Sequence, residues 1–116
     1  MTLESFLQKL NDYPENIEFT DTMSTIDLMY TFTPTSFKNS DLVNEAGQNS
    51  GSCKIFSFAR LNSLTPEQTL ACFGGYYRDD VLKHPESSDH QNIRNFMKSG
   101  WPGIEFDNEP LKAKIA

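Results

Sequence analysis

The chain is poor in cysteine and basic clusters and has no long apolar run, and each of these scarcities excludes a class of protein. Two cysteines in 116 residues cannot make the disulfide framework of a small secreted domain, so we expect reduced thiols. No apolar run approaches the roughly 20 residues of a membrane span. The first residues lack the basic region and apolar core of a secretory signal, so we expect a cytoplasmic protein without a membrane partner.

The net charge argues against a further class, the nucleic-acid-binding proteins. Ten Lys and Arg stand against sixteen Asp and Glu, for a net charge of -6. Because phosphate neutralisation needs clustered basic residues and these are scattered, we expect no nucleic-acid partner. Nine Phe, four Tyr and one Trp supply a core for one folded unit. With no repeat or low-complexity tract, the composition predicts a single domain over residues 1–116.

Apolar spacing predicts about five helices. Leu3, Phe6 and Leu10 form one stripe behind a Thr2 cap. A second helix is predicted to be capped by Thr20 or Asp21, after a short extended piece at 17–19. A third is predicted over 53–61, capped by Ser50 or Ser52. The last is predicted to be capped by Ser88 or Asp89 and to stop at Gly100.

The fourth helix has the strongest start signal. Thr65 and Gln68 match a capping box, and Pro66 occupies the first helical position. Its apolar series continues to Val81 and encloses Gly74-Gly75. Two glycines in mid-helix cost stability, so we expect either a close approach of another segment there or a bend.

Short extended segments complete the predicted fold. Alternation predicts strand within 30–37, at 42–43 and at 104–106, with 111–115 returning as the hairpin partner of 104–106. The sum is an α+β fold: about five helices packed on a small antiparallel sheet, with helix dominating.

Three segments carry a family resemblance: Asn-Glu-Ala-Gly-Gln-Asn-Ser-Gly-Ser-Cys-Lys-Ile-Phe-Ser-Phe-Ala-Arg-Leu at 44–61, Thr-Leu-Ala-Cys-Phe-Gly-Gly-Tyr-Tyr-Arg-Asp-Asp-Val at 69–81, and Asp-His-Gln-Asn-Ile-Arg-Asn-Phe-Met-Lys-Ser-Gly-Trp at 89–101. The chain resembles the HopJ type III effector family from Thr2 to Phe106. The resemblance implies a bacterial, effector-like protein and type III secretion as a possible fate. It implies no reaction and no residue roles. Residues 2–11 predict an amphipathic helix, not the Ser-rich unstructured signal of type III export.

Cys53 is the candidate nucleophile. It follows Gly51-Ser52 near a predicted helix start, where unpaired N–H groups lower a thiol pKa. His90 as base, with Asp89 or Asn92 orienting it, would complete a cysteine-dependent hydrolase or transferase. The alternative is that Cys53 is a small buried residue, as we predict for Cys72.

Seven polar residues are predicted to bind a small polar or anionic ligand, or a protein partner, around the amide-rich loop: Asn44, Glu45, Gln48, Asn49, Arg78, Arg94 and Asn95. Alternatively, these side chains bond the loop backbone and hold it in place. His84 and His90 lie among carboxylates but lack a metal-ligand spacing, so we expect neither a metal nor another cofactor. The sequence therefore favours a binding domain, with the cysteine-dependent enzyme as the alternative.

Overall fold

The computed structural model describes residues 2–114 and confirms a helix-dominated α+β fold. The α-helices are α1 (Leu3–Asp12), α2 (Phe19–Met29), α3 (Ser50–Leu61), α4 (Pro66–Ala71) and α5 (Gln91–Ser99), and a π-helical segment (Tyr76–Val81) follows α4. The strands are β1 (Tyr30–Phe32), β2 (Phe37–Asn39), β3 (Leu42–Asn44), β4 (Ile104–Phe106) and β5 (Leu111–Ala113). Among the described residues, no helix has the length and apolar character to cross a membrane.

Two small antiparallel sheets replace the predicted single one. β2 lies between β3 and β4 in one sheet, and β1 pairs with β5 in the other. The predicted hairpin of 104–106 with 111–115 is therefore wrong, and Ile115 lies outside the described residues. Asp107 N–H donates to Ser36 O (3.1 Å) and Thr33 N–H to Pro110 O (2.8 Å). These bonds hold the intervening segment against the β1–β2 connection, so β4 and β5 enter different sheets.

The sequence predicted the starts of two helices correctly and those of the other three incorrectly. Thr2 and Thr65 cap α1 and α4 as predicted. The start predicted for α2 is wrong, because the helix begins at Phe19 and the Asp21 carboxylate accepts from Glu18 N–H (3.2 Å). The starts predicted for the third and last helices also differ, since Asn49 precedes α3 and His90 precedes α5.

The Gly74-Gly75 pair breaks the predicted long helix. α4 ends at Ala71, and Gly74 has a φ of +62°. A Cβ atom at Gly74 would lie 2.5 Å from Phe19 N. Both predicted alternatives hold, because the start of α2 approaches closely and the chain turns there into the π-helical segment.

α3 is the central helix of the core. Ile55, Phe56 and Phe58 are fully buried on it. The Phe56 ring centroid lies 5.0 Å from that of Phe96 on α5 and 6.1 Å from that of Phe37 on β2. Helix was therefore the correct choice for 53–61, and this packing fixes α3 against both α5 and the three-stranded sheet.

Candidate functional site

A cleft of about 510 Å³ opens where α3 and α5 begin. The start of α3 contributes Asn49, Gly51 and Ser52, and the start of α5 contributes residues 90–93. Phe19, Phe73 and Tyr76 add aromatic rings to its lining. The N-terminal ends of two helices therefore share one concave surface.

Both helices begin with the same backbone geometry. Asn49 has φ 51° and ψ 45°, and His90 has φ 51° and ψ 49°, which is left-handed in each case. A left-handed residue next to right-handed ones turns successive N–H groups toward one concavity, an arrangement that binds anions. Each helix start therefore has the backbone angles of such a concavity, and residues from both helix starts line the same cleft.

The N–H groups at these two helix starts are free. Neither α3 nor α5 has a side-chain cap, and the first intrahelical bonds run from Cys53 N–H to Asn49 O (3.0 Å) and from Arg94 N–H to His90 O (3.1 Å). Within residues 2–114, the N–H groups of 50–52 and 91–93 have no acceptor. Each helix end therefore presents the positive pole of its dipole to the cleft.

A cluster of asparagines, in which Asn44 and Asn92 are buried and Asn49 is exposed, holds the two helix starts together. Asn92 Nδ2 donates to Asn44 Oδ1 (2.9 Å), and Asn44 Nδ2 donates back to Asn92 Oδ1 (3.2 Å). Asn49 Nδ2 donates to the same Asn44 Oδ1 (2.7 Å). Because Asn44 lies on β3, it bonds side chains from the start of α3 and the first turn of α5 at once.

The asparagine cluster extends to β2. Asn39 Nδ2 donates to Asn92 O (2.8 Å) and Asn92 Oδ1 (3.1 Å), while Asn95 Nδ2 donates to Asn39 O (3.1 Å). Asn39 is fully buried, and its Oδ1 has no partner among the described residues. Buried amides cost stability unless they are hydrogen-bonded, and this cluster satisfies nearly all of them.

Three rings form the aromatic wall of the cleft. The Phe19 and Tyr76 centroids are 5.0 Å apart at an interplanar angle of 74°, and those of Tyr76 and His90 are 5.3 Å apart at 39°. His90 Nε2 lies 3.1 Å from Asp80 Oδ2, which holds the imidazole beside Tyr76. We refer to Phe19, Tyr76 and His90 as the aromatic wall.

The structure separates the predicted nucleophile from the cleft. Cys53 is the fourth residue of α3, its side chain is buried, and its Sγ lies 3.7 Å from Thr35 O. Burial raises the pKa of this thiol to about 11, although the bond to Thr35 opposes the shift. In the described part of the chain, Cys53 and His90 share no hydrogen bond. Cys72 is buried as predicted, and burial raises its pKa to about 12.

Asp89 serves a different partner from the one predicted. Its carboxylate bonds Arg94 Nη2 at 2.7 Å, whereas the distance from Asp89 Oδ2 to His90 Nε2 is 3.8 Å. The hydrogen bond from Arg94 is the main cause that holds the pKa of Asp89 below its usual value. The carboxylate that orients His90 is that of Asp80, which the sequence prediction did not assign to this role.

Of the predicted binding residues in the amide-rich loop, one lines the cleft and the others hold the structure around it. Among the seven predicted binding residues, Asn49 alone lines the cleft in the region that the structure describes. Asn44 is buried in the asparagine cluster. Glu45 N–H donates to Gln48 Oε1 (3.1 Å) and Gln48 N–H to Glu45 O (2.9 Å), so these two close a turn.

The other three predicted binding residues hold backbone elsewhere. Arg78 donates to Ile17 O (2.6 Å) beside a separate groove of about 460 Å³. Arg94 donates to Asp89 O (2.6 Å) and Asn95 donates to Asn39 O. The seven residues therefore do not form one pocket. Among the bonds of the described residues, the Gln48 side chain is the one of the seven that bonds backbone of the loop, whereas Arg78, Arg94 and Asn95 bond backbone outside it. Over residues 2–114, no group of three or more potential metal ligands occurs.

Sequence reasoning found the residues of the cleft only in part. Asn49 and His90 were candidate residues and line the cleft, whereas Phe19 and the N–H groups of 50–52 and 91–93 were missed. An Asn and a His directly before two helices were the available signal, because both tolerate left-handed backbone better than most residues.

Comparisons with known proteins agree on the fold. A family model described as HopJ type III effector protein matches residues 3–111. A solved structure described as "Crystal structure of unknown function protein VPA0580" is 56% identical, with a TM-score of 0.97, over 98% of this chain and 95% of that chain. No match is found among curated proteins.

Proposed function

The chain belongs to the HopJ type III effector family, and we propose that it is a binding domain whose cleft between α3 and α5 takes a small molecule with an anionic group. One observation carries the proposal: two uncapped helix N-termini border one cleft, and the N–H groups of 50–52 and 91–93 have no acceptor among residues 2–114. A carboxylate or a phosphate would accept hydrogen bonds from these groups.

The strength of this interaction follows from the helix dipoles. Each helix end carries about half a positive charge and contributes up to about 2 kcal/mol toward an anion in a partly buried site. Two such ends give at most about 4 kcal/mol, which corresponds to a Kd no tighter than about 1 mM for a bare anion. Neither Lys nor Arg is among the described residues lining the cleft, so tighter binding requires contacts to the rest of the ligand.

A small molecule fits this site better than a protein surface does. The cleft is concave, and its volume of about 510 Å³ falls within the usual range of small-molecule pockets, roughly 300–1,000 Å³. The cysteine-dependent alternative has no supporting observation, because the Cys53 thiol is buried beside Thr35 O and burial raises its pKa.

Ser52→Asp tests the anion site. Ser52 is the third residue of α3 and lines the cleft. A carboxylate in the first helical turn stabilises the helix and occupies the position offered to an anion. We expect the variant to keep or raise the melting temperature and to weaken phosphate binding at least about tenfold, the effect of losing ~1.4 kcal/mol. NMR titration with inorganic phosphate and with acetate, followed at the amides of 50–52 and 91–93, measures this.

Ser5→Asp is the matched control. Ser5 is exposed and is the third residue of α1, so the variant adds the same charge at the same helical position away from the cleft. It should bind phosphate and acetate as the unmodified chain does. Equal binding by both variants would contradict the proposal, as would amides of 50–52 and 91–93 that do not respond to either anion.

A further inference from the structure

We propose that the anionic group of the ligand is attached to an aromatic ring, and that this ring packs against Tyr76. The inference depends on the proposed function, because the helix starts position the anion while the aromatic wall selects what is attached to it. It names the class of ligand as aryl phosphates or aromatic carboxylates.

The size of the cleft requires a second recognition element. A volume of about 510 Å³ far exceeds what a bare phosphate or carboxylate fills. Much of the remaining lining is apolar, from Leu42, Phe73 and Ile93 together with Phe19 and Tyr76. An apolar lining of this kind takes the nonpolar body of a ligand, while a few polar groups fix its orientation.

Tyr76 is the exposed ring of the aromatic wall. It is 44% exposed, although its ring lies between those of Phe19 and His90. Its hydroxyl has no hydrogen-bond partner among residues 2–114. Aromatic pairs prefer edge-to-face or offset arrangements at centroid distances of about 4.5–7 Å. A ligand ring packed against the exposed part of Tyr76 would add one more ring contact to those that Tyr76 makes with Phe19 and His90.

The neighbouring groove argues against a cation as the second element. Phe19 and Tyr76 also border a groove of about 340 Å³ that contains Glu18, Asp79 and Asp80. Each carboxylate already has a partner: Arg78 for Glu18 (3.5 Å), Lys83 for Asp79 (3.0 Å) and His90 for Asp80 (3.1 Å). A cationic ligand group would have to compete with these partners, whereas a neutral ring would not.

Matched ligand pairs test the inference on the full chain. Phenyl phosphate is compared with cyclohexyl phosphate, and benzoate with cyclohexanecarboxylate, by NMR titration. Since an aromatic pair adds about 0.5–1.5 kcal/mol beyond its buried area, we expect the aromatic member to bind about 2- to 10-fold tighter. The preference should disappear in Tyr76→Leu, which keeps apolar volume, and persist in Tyr76→Phe, which keeps the ring.

The outcomes separate the two proposals. An aromatic preference that Tyr76→Leu removes and Tyr76→Phe retains supports the inference. Equal binding of the aromatic and saturated members overturns it, while anion binding itself stands. An aromatic preference unchanged in Tyr76→Leu also overturns it, because the ring would then lie elsewhere. If neither the four compounds nor inorganic phosphate binds, the proposed function fails and the inference fails with it.

Discussion

At the turn after α4, we expect Gly74→Ala to destabilise the protein and to do so more than Gly75→Ala. The substitution adds one methyl group, and the structure shows where that group would go. Its Cβ would lie 2.5 Å from Phe19 N and 3.0 Å from Glu18 C, both backbone atoms at the start of α2. Backbone cannot rotate away as a flexible side chain can, so α2 or the turn must shift.

Two separate costs add up at Gly74. Its φ of +62° is left-handed, which costs an alanine about 1–2 kcal/mol. Overpacking against a fixed neighbour costs about 1–3 kcal/mol more. We therefore expect a loss of about 2–5 kcal/mol in the free energy of unfolding. With an m-value of about 2 kcal/mol/M, the middle of the usual range for small proteins, the urea midpoint should fall by about 1–2.5 M.

Two other glycines supply the controls. Gly47 has a φ of +91° and no atom within 4 Å of its Cβ position, so Gly47→Ala isolates the backbone cost. Gly75 has a φ of −61°, and its Cβ would meet Asp79 Oδ2 at 3.4 Å, so Gly75→Ala should be neutral or stabilising by up to about 1 kcal/mol. Urea unfolding followed by circular dichroism ranks the three. A loss in Gly74→Ala no larger than in Gly47→Ala would refute the close approach.

The remaining predictions concern two sets of buried groups, the two cysteines and the asparagine cluster. Neither Cys53 nor Cys72 should react with iodoacetamide at pH 7 except through unfolding, and fast alkylation of Cys53 in the folded chain would revive the cysteine-enzyme hypothesis. Burial raises the pKa of Cys53 to about 11 and that of Cys72 to about 12, whereas unfolded thiols ionise near pH 8.5. The free energy of unfolding should therefore be highest below about pH 8.5 and fall above it, because the unfolded state loses thiol protons first. Urea titrations at pH 8–10 would measure this fall, and Cys→Ala variants should weaken it. Asn44→Ala should lower the free energy of unfolding by about 1–3 kcal/mol, because the buried Asn92 amide loses its acceptor, whereas the exposed Asn49 can bond water instead. The exposed Asn108→Ala serves as its control and should cost less than about 0.5 kcal/mol, so equal urea midpoints for the two asparagine variants would contradict the role of the asparagine cluster.

Local rules predicted the parts of this fold that depend on local chemistry. The caps at Thr2 and Thr65 and the helix around Phe56 were found because a cap or a helical stripe is decided by residues three or four positions apart. The Gly74-Gly75 pair was recognised as an anomaly for the same reason. What approaches Gly74 was not predictable, since Glu18 and Phe19 are distant in sequence.

Local rules did not predict the strand pairing or the helix starts at the cleft. β4 pairs with β2 and β5 with β1, and nothing within 104–113 distinguishes these partners from each other. Ser, Thr and Asp signals also misplaced the starts of α3 and α5, because Asn49 and His90 begin them through left-handed backbone instead of side-chain capping. The catalytic hypothesis failed to gain support for a related reason: moving the start of α3 to Ser50 places Cys53 one full turn inside the helix.

The asparagine cluster connects this fold to its proposed function. Two helix ends with free N–H groups would repel each other's positive poles, so bringing them to one cleft costs free energy that other contacts must offset. Asn44 supplies such contacts, since it joins the side chains of Asn49 before α3 and Asn92 on α5. A core built for stability alone would cap both helices and bury apolar residues on β2 and β3. The bonds between Asn44 and Asn92, which hold two uncapped helix ends side by side, are therefore what the proposed anion site between those ends requires.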